Sequence, residues 1–238
     1  MTIFEKSRWA ESDFSRNYRE EAEIYLPFRS RFIETAISYY EYFVSPNRKV
    51  KILDLGCGDG LFVQELLKSF TPTEITILDG SQEMLDAAKK RLENRRDIRF
   101  IQTSFQDMIV HDPINEQFDF IHSSLAIHHI SLHQKRQLYG YIFNHLAQQG
   151  HFIHYDVVVS PTEKLEQWYL ALWKNWIQSQ SASNNRESLL DIPDRYKRNR
   201  DNLPDTLTAQ MDILQEIGFQ NVDCYSKYGL FALFGGTK

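Results

Sequence analysis

The stretch VKILDLGCGDGLFVQELL, residues 50–67, constrains the fold of this chain more than any other feature. An apolar, strand-like run ends in a turn with glycine at positions 56, 58 and 60, and a helix-like pattern follows. In doubly wound sheets a strand, a glycine-rich turn and a helix in this order bind nucleotides at the carboxyl end of the strand. The sequence therefore predicts a nucleotide or nucleoside site after the first strand.

The charge of this loop restricts the ligand. Asp54 and Asp59 flank the glycines, and residues 54–60 contain no Lys or Arg. Carboxylates repel a pyrophosphate. Leu61 stands where the dinucleotide fingerprint has Gly or Ala, and the Gly-Lys-Ser/Thr of a Walker loop is missing. A nucleoside that carries positive charge and no phosphate fits better, and S-adenosylmethionine is such a ligand.

The following residues alternate between strand-like and helix-like patterns. Four further apolar runs, EITILDG, IRFIQTS, FDFIHSS and HFIHYDVVVS, are separated by helical segments, which predicts a parallel sheet with right-handed crossovers. Ser81 is predicted to cap a helix, and Gly150 to end one. The last runs, FQNVDCYS and GLFALFGG, predict an antiparallel hairpin. The predicted fold class is α/β, a Rossmann-like, mostly parallel sheet of seven strands with a terminal antiparallel hairpin.

Two helical segments lie outside this alternation. Residues 1–45 are predicted to form a helical N-terminal cap or lid, interrupted at Pro27. Residues 46–238 are predicted to form the main domain, with a helical insertion at 160–205 on the substrate side. One helix of the insertion is predicted to pack on the body, or to line an acceptor pocket, through the stripe Leu165, Trp168, Tyr169, Leu172, Trp173 and Trp176.

Composition excludes several classes of protein. The formal net charge of -5 argues against a general nucleic-acid binder. The two cysteines do not make a disulfide framework, and no apolar run is long enough to span a bilayer. The first residues contain no apolar segment of the signal-peptide type. A cytoplasmic protein, monomeric or homodimeric, is the expectation.

The motifs together resemble those of class I S-adenosylmethionine-dependent methyltransferases. ILDLGCGDG resembles motif I of that family, and ITILDGSQEMLDAAKKRL, FIQTSFQDM and FDFIHSSLAIHHI resemble the segments after it. The resemblance runs from about Val50 to Val159. It implies an enzyme that uses S-adenosylmethionine to methylate a small-molecule acceptor at oxygen, nitrogen or sulfur.

The resemblance also implies which residues hold the cofactor. Asp54 would lie on the methionine side, Asp79 would bind the ribose hydroxyls and Met84 would pack on the adenine. Ser104 stands where many members have an Asp that binds the adenine amino group, so that contact is expected to differ here. The complete expected set is Asp54, Gly56, Cys57, Gly58, Asp79, Gly80, Met84, Ser104, Phe105, Ser123, Ser124 and Leu125, with Tyr18 and Arg29 from the lid.

Three residues are candidates for chemistry at the acceptor. His128 and His129 follow the fourth strand, and either could be a general base, or one could fill a buried turn. Asp156 lies near the end of the fifth strand and could orient a histidine, or could be a satisfied buried carboxylate. His128, His129 and His133 lack the Cys or carboxylate that would complete a metal site, so no metal is predicted.

Three other functions remain open. One is tRNA modification, including the synthesis of carboxy-S-adenosylmethionine. Its support is the basic run RYKRNR at residues 195–200 and four N-terminal arginines, Arg16, Arg19, Arg29 and Arg31. That run is otherwise a solvated face, or a clamp for a carboxylate or phosphate of the acceptor. The others are an NAD-dependent oxidoreductase and a non-catalytic subunit that binds the cofactor.

Overall fold

A computed structural model describes residues 21–44, 49–93, 95–181 and 187–238. The strands are β1 Lys51–Leu55, β2 Glu74–Asp79, β3 Ile98–Gln102, β4 Phe118–Ser124, β5 Leu146–Val157, β6 Gln220–Tyr228 and β7 Phe231–Thr237. The helices are α1 Arg29–Phe43, α2 Leu61–Leu67, α3 Gln82–Arg91, α4 Phe105–His111, α5 Leu132–His145, α6 Glu163–Ser181, α7 Ile192–Arg198 and α8 Leu207–Ile217. Residues 21–25 are also helical, and short 3-10 turns lie at Ile127–His129 and Glu187–Asp191.

The strands form one sheet in the order β3-β2-β1-β4-β5-β7-β6. The pairs among β1 to β5 are parallel, whereas β7 is antiparallel to both β5 and β6. The predicted fold class is thus confirmed. Because the chain builds β2 and β3 on one side of β1 and then returns to β4 on the other, the carboxyl ends of β1 and β4 flank the switch point where such sheets bind ligands.

The sheet separates two apolar layers, since successive residues of a strand point to opposite faces. Helices α1, α2, α3 and α6 cover one face and α4, α5 and α8 cover the other. On β5, Tyr155 belongs to the first layer and Phe152 to the second. His154 and Asp156 therefore share the face of Phe152, away from Tyr155.

One of the two predicted helix ends is confirmed and the other is wrong. Ser81 caps α3, and its hydroxyl accepts a hydrogen bond from the Met84 N–H at 3.3 Å. Helix α5 ends at His145 and not at Gly150. The backbone becomes extended at Leu146, which already pairs with Phe118 of β4, so Gly150 lies within β5. Strand pairing, which is not local in sequence, ends this helix.

Helix α6 packs on the N-terminal segment. The indole N–H of Trp173 donates to the Tyr25 carbonyl at 2.5 Å, and that of Trp176 donates to the Ile24 carbonyl at 3.1 Å. The predicted stripe is wrong for Trp168, which is 56% exposed. The buried side chains of α6 include two outside that stripe, Leu170 and Ile177. Within the described ranges, no helix is both long and apolar enough to cross a membrane.

Candidate functional site

A cavity lies at the carboxyl ends of β1 and β4, under α1. Several residues predicted to bind the cofactor line it, namely Asp54, Gly56, Cys57, Gly58, Ser124 and Leu125. Helix α1, which lies within the segment 1–45 predicted as a cap, contributes Arg29 and Ile33 to the lining. The guanidinium of Arg29 bonds to Glu23 Oε1 at 3.0 Å. Tyr18, the other predicted lid residue, lies outside the described residues.

Two glycines of the loop have different roles. Gly56 has a φ of 64°, and a Cβ there would lie 2.4 Å from the Ala126 Cβ, so only glycine allows the two loops to approach. Gly58 also has a positive φ, 54°, but a Cβ there would meet nothing within 4 Å. Gly56 therefore serves packing, whereas Gly58 leaves open space beside the cavity.

Asp79 ties this loop to the end of β2. Its Oδ2 accepts from the Gly58 N–H at 2.9 Å, and its Oδ1 accepts from the Ser81 N–H at 2.8 Å. Burial raises the pKa of Asp79 to about 6, although the N–H groups of Ser81 and Gly58 favour the charged form. The neighbouring charge of Asp54 adds to this rise. Asp79 is therefore ionised at neutral pH and becomes protonated in mild acid.

Asp54 carries a buried oxygen that lacks a hydrogen-bond donor. The residue is 1% exposed, and its Oδ1 bonds to Nδ1 of His122 at 2.8 Å. Its Oδ2 is buried and has no hydrogen-bond partner in the described part of the chain. Leaving a buried charged acceptor unsatisfied is costly. A ligand with an ammonium group would satisfy it.

Sequence reasoning did not find His122. Its ring stacks on Phe62 with 3.5 Å between ring centroids and 13° between the planes. Its Nε2 lies 3.0 Å from the Ser124 Oγ. His122 is in register with Asp54 on the neighbouring parallel strand, which brings the two side chains together. The register of parallel strands cannot be read from one sequence, so the pair was not visible there.

The other acidic residue of the loop is neutralised from outside the loop. Asp59 forms an ion pair with Arg91 of α3, whose guanidinium also bonds to Gln64 Oε1 at 2.8 Å. The loop itself has no cation, as the sequence showed, but its tertiary neighbour supplies one. Asp54 and Asp59 both line the cavity, but Asp59 is paired with Arg91, so the unpaired acidity of the lining comes from Asp54.

Cys57 has the environment of an unreactive thiol. Burial raises its pKa well above the usual value, and the charges of Asp79, Asp54 and Asp59 raise it further. The thiolate is the nucleophilic form of cysteine, so a raised pKa suppresses its reactivity. This environment agrees with a space-filling residue.

Three of the other predicted cofactor residues have side chains already engaged within the protein. Met84 is 1% exposed. Ser104 caps α4, accepting from the Asp107 N–H at 3.1 Å and donating to the Asp107 carboxylate at 2.7 Å. Ser123 is fully buried, and its hydroxyl donates to the Leu55 carbonyl at 2.7 Å. The hydroxyls of Ser104 and Ser123 are therefore committed inside the fold.

Three others, Phe105, Leu125 and Gly80, contribute shape and backbone groups. The ring of Phe105 lies 3.2 Å from the position that a Gly56 Cβ would occupy. Leu125 has a φ of 52°, a strained value for a residue other than glycine, and its N–H donates to the Tyr155 carbonyl at 2.7 Å. Gly80 follows β2, and its carbonyl accepts from the Gln102 side chain at 3.5 Å.

His128 and Asp156 form a buried pair at the same edge of the sheet. Asp156 Oδ1 lies 2.5 Å from His128 Nδ1, and Oδ2 accepts from the His128 backbone N–H at 2.8 Å. Asp156 Oδ2 also accepts from His154 Nε2 at 2.8 Å. Burial alone would raise the pKa of Asp156, but the charge of His128 and the hydrogen bonds from His128 and His154 hold it well below its usual range. Asp156 is therefore a carboxylate that orients two histidines.

The two adjacent histidines differ. His129 Nδ1 lies 3.2 Å from the Asp201 carbonyl. Burial, together with the charge of His128, lowers the pKa of His129 to about 3, so this ring is neutral. His128 is instead held through Nδ1, which leaves Nε2 as the ring nitrogen that faces away from Asp156. Its ring centroid is 5.9 Å from that of Tyr196 in the insertion.

The insertion places Tyr196 near His128, and its basic run 195–200 is largely paired with carboxylates. The buried hydroxyl of Tyr196 has no hydrogen-bond partner among the residues that the structure describes. The basic run is largely paired, because Arg195 and Arg198 lie 3.6 and 3.3 Å from Asp191 and Lys197 lies 3.3 Å from Glu166. In the described part of the chain, no three His, Cys, Asp or Glu side chains are grouped as metal ligands.

Comparison with known proteins identifies the domain. Residues 52–150 match the family described as "Methyltransferase domain". A malonyl-[acyl-carrier protein] O-methyltransferase of Halalkalibacterium halodurans is 37% identical over 70 residues, which are 29% of this chain and 26% of that protein. The chain spans only 26% to 37% of the length of three such relatives.

Two further proteins are similar over nearly their whole length. The carboxy-S-adenosyl-L-methionine synthase of Nautilia profundicola is 21% identical over 220 residues, covering 90% of this chain and 87% of that protein. The structure of magnesium protoporphyrin IX methyltransferase from Synechocystis PCC 6803 with bound SAH shares the fold, with a TM-score of 0.64 at 11% identity over 97% of this chain and 96% of that one. Residues 52–150 therefore match a methyltransferase domain, and the whole chain shares the fold of a methyltransferase that binds SAH.

Proposed function

We propose that this protein binds S-adenosylmethionine in the cavity under α1 and transfers its methyl group to a small acceptor. The observation that carries the proposal is the buried Asp54 Oδ2, which has no donor among the described residues. Gly58 lines the same cavity, and a Cβ there would meet nothing within 4 Å. A cationic amino acid group would satisfy that oxygen, whereas a pyrophosphate would be repelled by it. When bound, the cofactor supplies an activated methyl group on a sulfonium.

The roles of the binding residues follow from their contacts. Asp54 would hold the ammonium group of the ligand. Asp79, already fixed by two backbone N–H groups, keeps lone pairs that can accept from ribose hydroxyls. Gly58 would let the ligand lie against the backbone, and α1 would exclude water above it. Residues 1–45 would then serve as the cap, and the insertion at 160–205 would line the acceptor side.

His128 is the residue that we assign as general base. An imidazole that donates Nδ1–H to a carboxylate presents a lone pair at Nε2, which can take a proton from an acceptor. Asp156 is the positioning residue that holds His128 in this tautomer. We assign His129 a structural role, because its ring bonds to the Asp201 carbonyl and its pKa is low. The protein's remaining task is to align the acceptor.

The pair of His128 and Asp156 favours an acceptor that loses a proton, such as a hydroxyl, amine or thiol. A carboxylate acceptor is already ionised and needs no base. The relatives named as malonyl-[acyl-carrier protein] O-methyltransferases make acyl-carrier-linked acids the first alternative to screen. Activity that does not change when His128 is replaced would favour the carboxylate.

A second candidate function is the synthesis of carboxy-S-adenosylmethionine. The alignment with a carboxy-S-adenosyl-L-methionine synthase over 90% of this chain favours it. That product carries an extra carboxylate, which a cation would have to hold. Arg29 lines the cavity from α1 and is the residue that we would assign to this contact.

Native mass spectrometry of the freshly purified protein, with identification of the released ligand, tests both candidates. S-adenosylmethionine or its demethylated product supports methyl transfer, and the carboxylated derivative supports the second candidate. Thermal unfolding with saturating S-adenosylmethionine and, separately, NAD completes the test. A ligand that binds the native state must stabilise it, so no stabilisation by S-adenosylmethionine would refute the proposal. Stabilisation by NAD alone would identify a dinucleotide enzyme.

A further inference from the structure

Three side chains form a continuous chain of hydrogen bonds along the wall of the cavity. Asp54 Oδ1 lies 2.8 Å from His122 Nδ1, and His122 Nε2 lies 3.0 Å from Ser124 Oγ. Asp54 and Ser124 both line the cavity, while His122 lies behind them and is 1% exposed. The close stack of Phe62 on the imidazole holds the plane of the ring. The three hydrogen-bonded side chains are therefore a fixed part of the cavity wall.

The carboxylate partner determines which tautomer a neutral His122 ring adopts. An ionised carboxylate only accepts, so the hydrogen between Asp54 and His122 belongs to Nδ1. A neutral ring in this tautomer has a lone pair at Nε2, to which the Ser124 hydroxyl would donate across the 3.0 Å contact. The Ser124 oxygen would then keep only lone pairs for the cavity, and Asp54 Oδ2 has no donor among the described residues. From both β1 and β4 the protein presents hydrogen-bond acceptors.

The same order of residues occurs in the nucleophilic triads of hydrolases, but the surroundings here differ. Such a site needs free N–H groups aimed at a developing oxyanion. The N–H of Leu125, the residue after Ser124, donates to the Tyr155 carbonyl at 2.7 Å. The N–H of Gly58 donates to Asp79 at 2.9 Å. Both of these N–H groups already donate within the protein, so the wall formed by Asp54, His122 and Ser124 is suited to binding a cation.

We infer that His122 is a neutral positioning residue, protonated on Nδ1, that makes Ser124 a hydrogen-bond acceptor, and that Ser124 and Asp54 together select a cofactor by its positive charge. The inference rests on the proposed function and names the property of the ligand that this wall recognises. A nucleoside with a cationic amino acid group satisfies both oxygens. A nucleoside of the same shape without charge leaves both oxygens without a donor.

Isothermal titration with two probes tests this. S-adenosylmethionine carries the sulfonium and the ammonium, whereas methylthioadenosine has the same nucleoside and neither charge. The quantity of interest is the ratio of the two dissociation constants within one variant. Because both probes see the same fraction of folded protein, this ratio does not depend on how well a variant folds.

Two variants break the chain at different points. Ser124→Ala removes the acceptor, and His122→Asn keeps a donor near the Nδ1 position for Asp54 but is too short to reach Ser124. Each should reduce the preference for S-adenosylmethionine by about 3- to 10-fold, the range of one hydrogen bond. His145→Asn is the matched control, because His145 contacts the Tyr141 and Ile114 carbonyls at 2.9 and 3.0 Å, away from the cavity wall. Its ratio should equal that of the wild type.

The outcomes separate the two proposals. A wild-type ratio in Ser124→Ala or in His122→Asn, with S-adenosylmethionine still bound, would overturn the inference and leave the proposed function standing. A wild-type protein that binds neither probe would overturn both. A loss of preference in both variants but not in His145→Asn would support the inference.

Discussion

Asp156 holds His128 at two points, since one carboxylate oxygen lies 2.5 Å from the ring Nδ1 and the other accepts the backbone N–H of the same residue at 2.8 Å. The side chain and the main chain of His128 are thereby fixed together. This arrangement leaves Nε2 as the nitrogen available for chemistry and makes Asp156 important for stability as well as for orientation.

The first prediction concerns the charge of Asp156. Asp156→Asn should lower the free energy of unfolding by about 3 kcal/mol at neutral pH, because the buried hydrogen bonds from His128 and His154 lose their charged acceptor. The folded pKa of Asp156 is depressed, so its contribution is complete above the unfolded pKa and is lost as the pH falls through the folded value. The effect of the substitution should therefore shrink below about pH 5.

Urea unfolding at neutral pH and in acid measures this difference. Asp112→Asn is the control, because the Asp112 side chain bonds to Tyr141 at 2.7 Å but is 54% exposed. It should cost less than about 1 kcal/mol. An equal, pH-independent loss in both variants would contradict the assignment of a depressed pKa to Asp156.

The second prediction concerns Asp79, whose effect on stability changes with pH in the opposite direction to that of Asp156. Its folded pKa, about 6, lies above the unfolded value, so the folded state gains a proton first and stability rises as the pH falls from about 6 to 4. When the pH falls from neutral to about 4.5, the free energy of unfolding of the wild type should rise by about 2 kcal/mol relative to that of Asp79→Asn. Urea unfolding at the two pH values measures the change, and a constant difference would contradict it.

The third prediction concerns the unpartnered oxygen of Asp54. Asp54→Asn should weaken the binding of S-adenosylmethionine by about 10- to 100-fold, because a hydrogen bond to a charged group contributes about 1.5–3 kcal/mol. Isothermal titration measures the loss, and Asp112→Asn again serves as the control, at the opposite edge of the sheet. Unchanged affinity in Asp54→Asn would show that the ammonium group binds elsewhere.

The fourth prediction separates two neighbouring glycines. Gly56→Ala should destabilise the protein by several kcal/mol, because its Cβ would lie 2.4 Å from that of Ala126. Gly58→Ala should lower the free energy of unfolding by only about 1–2 kcal/mol, because of the positive φ at this position. The new methyl group would enter the space proposed for the ligand, so it should block binding. Thermal unfolding with and without S-adenosylmethionine distinguishes the two. A Gly58→Ala protein that is stabilised as much as the wild type would argue against this position for the ligand.

The fifth prediction compares the two histidines on any acceptor that is turned over. His128→Gln should lower kcat by about 100- to 10,000-fold and abolish the dependence of the rate on the ionisation of the base. His129→Gln should lower kcat by much less, because its ring is neutral and bonded to the Asp201 carbonyl. Equal losses in the two variants would contradict the assignment of separate roles.

The order of strands and helices could be predicted from the sequence, because it depends on local patterns. The apolar run before Gly56, the cap at Ser81 and the final hairpin each carry their signal within a few residues. The position that we propose for the ligand follows from the same order, since a glycine turn after the first strand of a doubly wound sheet must lie at the switch point. That much was determined by the sequence alone.

The chemistry within the site was decided by contacts between distant residues. Asp54 meets His122 because β1 and β4 pair in that register, and Asp59 is neutralised by Arg91 from another helix. The separate roles that we propose for His128 and His129 rest on partners from β5 and from the insertion. Strand register, burial and ion pairing are properties of the packed chain, so only the tertiary structure could assign these partners.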